Sequence, residues 1–236
     1  MPDNGPLDMA TGEQGDVPVW LWRTATWGLV AALAAVLALS GALALGLADP
    51  PRAGPLAWQD DFKQGAQRWS LSPPVGGTLE AAGGALVAGL PGAEDSGAPQ
   101  TMGLTPAPDG DYTLEVAGAA VTGETAAAYG LVFDWQDSQN YSAVFMDGNG
   151  YAEAYHQVGA QRQTLFEWQQ WPHILYGTDA NRVRVDVRGQ ALTLRINDEL
   201  LATGPRAAAR GQLGPAARSR AAARVVFSWV RLWISS

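Results

Sequence analysis

The sequence predicts an all-β domain, a sandwich or barrel, preceded by one transmembrane α-helix. Three observations carry this. From Ala57 onward, short alternating runs are separated by turn residues at roughly 8–12-residue spacing, the pattern of an all-β fold. No amphipathic helix interrupts them, and the one Ala-rich stretch, residues 207–224, is broken by Gly211, Gly214 and Pro215. Upstream, residues 24–48 carry no charged side chain.

The elements follow in order. Residues 1–19 are polar, Gly- and Pro-containing and non-periodic, and read as a disordered tail. Residues 20–48 read as the transmembrane helix, because about 20 apolar residues cover a hydrocarbon core of roughly 30 Å. Arg23 lies near one end of the apolar run and Asp49-Pro50-Pro51-Arg52 closes the other. Trp20, Trp22 and Trp27 resemble an interfacial aromatic belt. A cleaved leader is the rival reading, with Gly46-Leu47-Ala48 as a small-x-small site. The run exceeds the roughly 7–15 residues of a leader's apolar region, and the segment before it is acidic (Asp3, Asp8, Glu13, Asp16) rather than basic. An uncleaved, single-pass anchor in the cell membrane is therefore expected, with the C-terminal domain outside the cytoplasm. Residues 49–56, "DPPRAGPL", read as a semi-rigid Pro-rich linker.

Residues 57–236 hold the expected strands, at 78–81, 85–90, 111–117, 127–136, 141–146, 151–157, 162–168, 182–187, 191–196, 200–203, 212–216 and 223–234. Gly83-Gly84, "PDGD", Arg188-Gly189-Gln190 and Asn197-Asp198 supply turns between them. The most regular stretch is "YGLVFDWQDSQNYSAVFMDGNGYAEAYH", residues 129–156. Tyr129, Leu131, Phe133 and Trp135 share one parity and are expected in the inter-sheet core, which sends Asp134 and Gln136 to the opposite face. By the same rule Tyr141 and Phe145 are expected to point inward.

Composition removes several functions. The chain of 236 residues has no cysteine, so disulfides, thiolate metal sites and cysteine nucleophiles are excluded. With 23 Asp plus Glu against 15 Lys plus Arg, the formal charge is −8, which argues against a nucleic-acid partner. Basic residues are uneven: only Lys63 and Arg68 lie between Ala53 and Gln157, whereas arginines crowd from Arg162 to Arg231.

The stretch "WQDDF" followed by Trp69, the hairpins of residues 112–159, "NRVRVDVRGQALTLRINDELLATG" and the closing "RVVFSWVRLWIS" together resemble the concanavalin A-like lectin/glucanase superfamily. The likeness is to its laminin-G-like, family-sixteen-like and 3-keto-disaccharide hydrolase-like members, and it covers most of residues 57–236. It implies a two-sheet antiparallel jelly-roll with one face often concave; in bacteria such domains often follow a single membrane helix. Many relatives close with Phe-Asp-Asn, where this chain has Phe227-Ser228-Trp229, so an acidic and amide pair is lost.

Retaining glucanases of that superfamily carry two carboxylates on one strand, as Glu-x-Asp-x-x-Glu, so that nucleophile and acid flank one bond. Neither Glu115, Glu153 nor Glu167 begins such a pattern. His156 and His173 lie in no triad-like or metal-spaced context. No catalytic residue is assigned. The oxygen-rich loops holding Asp137, Asn140, Asp147 and Asn149 would suit Ca²⁺, which takes 6–8 oxygen ligands, but the same residues are standard turn formers. No cofactor is required, and calcium is the one to test.

Aromatic faces stack on sugar rings while carboxylates and amides take the hydroxyls. Trp168, Trp171, Tyr151 and Tyr155 are the candidate carbohydrate platforms, with Asp134 and Gln136 as polar partners; the aromatic loop at 166–177 supplies two of them. The expected function is a non-catalytic, membrane-anchored, extracytoplasmic lectin-like domain that binds carbohydrate or a cell-surface partner. The competing readings are a sugar hydrolase of the 3-keto-disaccharide type and an assembly subunit of a membrane complex, the latter suggested by the small residues Gly28, Ala32, Ser40, Gly41, Ala44 and Gly46 on the helix.

Overall fold

The computed structural model describes residues 18–44, 49–92, 98–123, 127–207 and 210–235. The tail at 1–17 and the candidate cleavage site at Ala48 lie outside them. The chain divides into two compact units, Met1–Asp49 and Pro50–Ser236.

The described part of the first unit is dominated by α1 (Val19–Ala44), 26 residues with no acidic side chain in its first turn and no basic one in its last. Its stretch Trp20–Leu43 has a mean hydropathy of 1.9 and is long and apolar enough to cross a membrane. At 1.5 Å per residue α1 extends about 39 Å. Thr24 and Thr26 donate their hydroxyls back to the carbonyls of Leu21 and Trp22, which satisfies polar groups inside an otherwise apolar helix.

The second unit is all β. In chain order its strands are β1 (Leu56–Asp60), β2 (Ser70–Leu71), β3 (Thr78–Ala82), β4 (Ala85–Leu90), β5 (Gln100–Thr101), β6 (Gly103–Pro106), β7 (Tyr112–Gly123) and β8 (Ala128–Asp137). They continue as β9 (Asn140–Met146), β10 (Tyr151–Val158), β11 (Gln161–Gln170), β12 (Asn181–Arg188), β13 (Ala191–Ile196), β14 (Glu199–Pro205), β15 (Gln212–Arg218) and β16 (Ala223–Ile234). Each of the twelve segments read from alternation is a strand, and the structure adds β1, β2, β5 and β6. All pairings are antiparallel.

The first sheet runs β14-β13-β12-β7-β16-β4-β3, with β1 also beside β16. The long β16 is shared end to end: β4 pairs with its Ala223–Phe227 half and β1 with its Val230–Trp233 half. The second sheet runs β11-β10-β9-β8-β15-β6-β2, with β5 beside β15. Leu114, Val116, Val183, Val185 and Val187 from the first sheet meet Tyr129, Leu131, Phe133, Val144 and Met146 from the second in one buried core.

Two expectations are corrected here. Tyr141 and Phe145 point away from this core. Tyr129 pairs with Met146 and Leu131 with Val144, so the aliphatic parity of β9 faces inward and the aromatic parity outward. Trp135 also leaves the core side. Asp134 has φ +52, and the β8–β9 register shifts between Phe133 and Asp137. Against β15, Val132 to Trp135 spans three steps opposite two from Gly214 to Gln212, and this one extra residue reverses the alternation. Trp135 therefore packs with Tyr141 on the outer face, while Asp134 is fully buried and bound by Arg206.

The chain from Pro50 to Pro55 lies along the outer face of the first sheet. Arg184 donates from Nη1 and Nη2 to the carbonyls of Pro50 and Pro51 at 2.8 and 2.7 Å. Arg52 pairs with Glu115 at 2.9 Å, and the Ala53 amide donates to the Thr113 hydroxyl, which donates to Asp186. Arg184 and Glu115 are almost fully buried on this nominally outer face. Burial pushes the Glu115 carboxyl above the ordinary range, against the opposing pull of Arg52 and Arg184.

Candidate functional site

The outer face of the second sheet carries a second apolar cluster, separate from the inter-sheet core. Its members are Ala128, Val132, Tyr141, Ala143, Phe145, Tyr155 and Ala216, with Leu104 and Trp135 against them. A solvated sheet face normally carries polar side chains, so this one is out of pattern. Small residues make its floor. At Gly130, opposite Phe145, a Cβ would lie 2.1 Å from the Val144 carbonyl oxygen, so no side chain fits there.

Across this floor the contacts form one continuous line. Trp135 lies 5.0 Å from Tyr141 between ring centres, and Tyr141 lies 5.9 Å edge-on from Tyr155. The two tyrosine hydroxyls are 3.4 Å apart. Burial raises both phenol pKa values above the ordinary range. The Arg162 guanidinium sits 3.6 Å above the Tyr155 ring centre. Arg162 and Arg218 both donate to Glu153, one to each carboxylate oxygen. Arg218 in turn lies 5.2 Å from the ring centre of Phe145 and 5.7 Å from that of Trp168. Trp168 stacks on Tyr151 at 5.9 Å with 14° between planes.

Local geometry explains why these side chains converge. Odd positions of β10 put Tyr151, Glu153 and Tyr155 on the outer face, in register with Phe145 and Ala143 of β9. The β10–β11 register shifts between Ala152 and Tyr155, and along this irregular edge strand Arg162 meets Tyr155 and Glu153 while Trp168 meets Tyr151 and Arg218. Arg218 closes the site from β15, across from Ala128. Glu153 is 3% exposed, whereas Trp168 is 39% exposed, so the carboxylate is roofed by its own partners while the indole meets solvent.

Of the residues singled out from sequence, Tyr151, Tyr155 and Trp168 are brought together here. Trp171 is not: it packs edge-on against Phe166 at 5.5 Å, against the main core. Asp134 presents no oxygen to solvent, and Gln136 is exposed near the β8 end. Asp137 accepts from the Gln139 amide and from Asn140 Nδ2, and these bonds hold its carboxyl below the usual range. Asp147 accepts from the amides of Asn149 and Tyr151. These oxygens serve the turns, and among the described residues no three His, Cys, Asp or Glu side chains are grouped as a metal site would need.

Sequence reasoning missed Glu153, Arg162 and Arg218 as site residues. A signal existed for the first, since Glu153 stands between Tyr151 and Tyr155 at the same parity. Arg218 is about 65 residues away in the chain and only strand pairing brings it near.

A separate cavity of about 380 Å³ opens on the first sheet, lined by His173, Leu175, Arg182, Asn197 and Trp229 among others. Its polar groups engage one another: Arg182 pairs with Asp198, and Asn197 Nδ2 donates to the His173 carbonyl and to Asn181.

No family model matches the sequence, and no curated protein matches it. Solved structures match the sandwich. The GH43 BlXynB protein from Bacillus licheniformis aligns over 74% of this chain with a TM-score of 0.57 and 14% identity. The xylan beta-1,4-xylosidase from Bacillus Halodurans C-125 gives 0.52 over 74%, also at 14% identity. A functionally unknown protein from Saccharomyces cerevisiae gives 0.51 over 75% at 16% identity. The likeness is one of fold. This chain spans 38% of each bacterial protein and 99% of the yeast one.

Proposed function

We propose that the outer face of the second sheet binds saccharide without cleaving it, as a concanavalin A-like lectin domain. The observation that carries this reading is the line from Trp135 through Tyr155, Arg162, Glu153 and Arg218 to the Trp168–Tyr151 stack. Exposed aromatic rings with a few fixed polar groups are the composition of a sugar-binding site; of this line Trp168, Tyr151 and Trp135 reach solvent, while Tyr141 and Tyr155 are buried. The Trp168–Tyr151 pair offers a ring face, and the 38%-exposed Arg162 guanidinium offers directed donors to hydroxyls. Hydrolysis by a carboxylate pair needs one group free to act as acid and another as nucleophile or base. Glu153 instead gives both oxygens to arginines, which favours binding over turnover.

In this reading α1 anchors the domain in a membrane, with the sandwich outside the cytoplasm. The length and hydropathy of Trp20–Leu43 and the tryptophans at its N-terminal end support the anchor.

The test is a glycan panel probed with the full chain in a detergent lacking a sugar headgroup. Saturable binding that weakens in Trp168→Ala is the expected result. Binding to no saccharide would end this reading and favour a protein partner instead.

A further inference from the structure

We infer that the outer face of the first sheet holds a second binding site, one that takes a small aromatic ring carrying a carbonyl oxygen. The site is the cavity of about 380 Å³, and it shares no residue with the saccharide face. Ordinary ligand pockets span roughly 300–1,000 Å³. Strand register makes the floor. Ala117 of β7 pairs with Arg182 of β12 on one side and with Trp229 of β16 on the other. β12 and β16 flank β7, so the two large side chains are rooted about 10 Å apart with only a methyl group between them. A flat ring in van der Waals contact with both needs about 7–8 Å.

The walls are built in. Arg231 lies 4.1 Å from the Trp229 ring centre, and its register partner is Glu115, so it lies along the sheet on one side of the indole. On the other side is Asn181, paired with Gly118. Its side chain binds the amide and the carbonyl of Leu175 at 2.7 and 2.9 Å. Asn197 Nδ2 holds the His173 carbonyl at 2.7 Å. These bonds fix the loop that supplies His173, Leu175 and Ala180 to the lining, which lowers the ordering cost of binding. Leu175 is 50% exposed, an apolar side chain left at the rim.

The lining sets the ligand's chemistry. Ala117, Leu175, Ala180 and Trp229 are apolar. Asn197 is engaged through both side-chain atoms, with Oδ1 accepting the Arg182 amide. Arg182 gives Nη2 to Asp198, while its Nε and Nη1 make no hydrogen bond among the described residues. A guanidinium only donates, so the ligand brings an acceptor, and one carbonyl suffices. Indole and guanidinium both stack on aromatic rings. A pyranose would turn several hydroxyls against aliphatic walls without partners.

The experiment titrates benzamide into the full chain, in a detergent without aromatic groups, by ligand-observed NMR against a detergent-only blank. Cyclohexanecarboxamide and methyl glucoside are run alongside. Benzamide is expected to bind with Kd of about 1 mM or tighter, in the range open to so small a ligand. Ala117→Leu, which fills the floor, is expected to weaken it about tenfold or more. Trp229→Ala gives the same readout if Ala117→Leu folds poorly. Arg182→Gln is expected to weaken it several-fold, on the order of one hydrogen bond to a charged group. No saturable benzamide binding, or binding unchanged in Ala117→Leu and Trp229→Ala, would overturn the site. Cyclohexanecarboxamide or methyl glucoside binding as tightly would overturn the aromatic ring as its ligand. An unchanged affinity in Arg182→Gln would overturn the carbonyl contact.

Discussion

The guanidinium carbon of Arg162 lies 3.6 Å from the centre of the Tyr155 ring, at the edge of a sheet whose opposite face is the sandwich core. The pair joins the charged part of the candidate site to its aromatic part. Glu153 holds Arg162 from one side and Tyr155 from beneath.

Glu153→Gln removes the anion that both Arg162 and Arg218 need. Breaking a buried ion pair by deleting one partner costs about 3–5 kcal/mol. Arg162 is 38% exposed, which screens part of the loss and puts the expected cost near the lower end. For a domain of this size about 3 kcal/mol corresponds to roughly 6–12 °C in Tm, readable by calorimetry. A Tm within about 2 °C of wild type would show that the cluster is not held as described.

Trp168→Ala should lower saccharide affinity about tenfold or more, because an exposed aromatic anchor is the usual hot spot of an interface. Trp171→Ala should act differently. Its ring packs with Phe166 against the core, so the expected loss is in thermal stability, with affinity per folded molecule little changed. Titration calorimetry on both variants separates the two roles.

Arg184→Ala should release the segment Pro50–Pro55 from the first sheet. In the wild type Arg52 is held by Glu115, and two proline carbonyls are bound by Arg184. Trypsin should therefore cut after Arg52 slowly in the wild type and much faster in the variant, with Ala53 as the new N-terminus. Equal cleavage rates would mean that the segment is not docked in solution.

His156 makes stability fall with acid. Its Nδ1 lies 2.7 Å from the Ser142 hydroxyl and its Nε2 lies 3.1 Å from the Pro205 carbonyl, with the ring fully buried. Burial lowers its pKa below the ordinary histidine value of 6.5. As pH drops below 6.5 the unfolded chain takes up a proton that the folded one refuses, so unfolding free energy declines through that window. Urea titrations between pH 7 and pH 5.5 should show this decline, and His156→Gln should flatten it. An identical slope in the variant would assign the decline to other groups.

The strands were legible because they are local. Period-2 alternation, bounded by Gly, Asp and Asn turns, marks a strand wherever it sits, and the apolar run of α1 needs only composition to be recognised. Tyr151, Tyr155 and Trp168 could be picked out as candidate platforms on the same basis.

Which face a strand side chain takes is a different kind of fact. It depends on the partner strand and on every bulge between, and one inserted residue reverses it. Asp134 at φ +52 turned Trp135 outward, and the pairing of Val144 with Leu131 turned Tyr141 and Phe145 outward with it. Arg218 joins Glu153 only because β15 lies beside β8 in the second sheet, and Arg184 meets Pro50 and Pro51 across about 134 residues of chain. The sequence by itself determined α1 and twelve of the sixteen described strands, through composition, short-range periodicity and turn chemistry. The tertiary structure alone decided which residues share a surface, because hydrogen-bond register and long-range strand pairing set that choice.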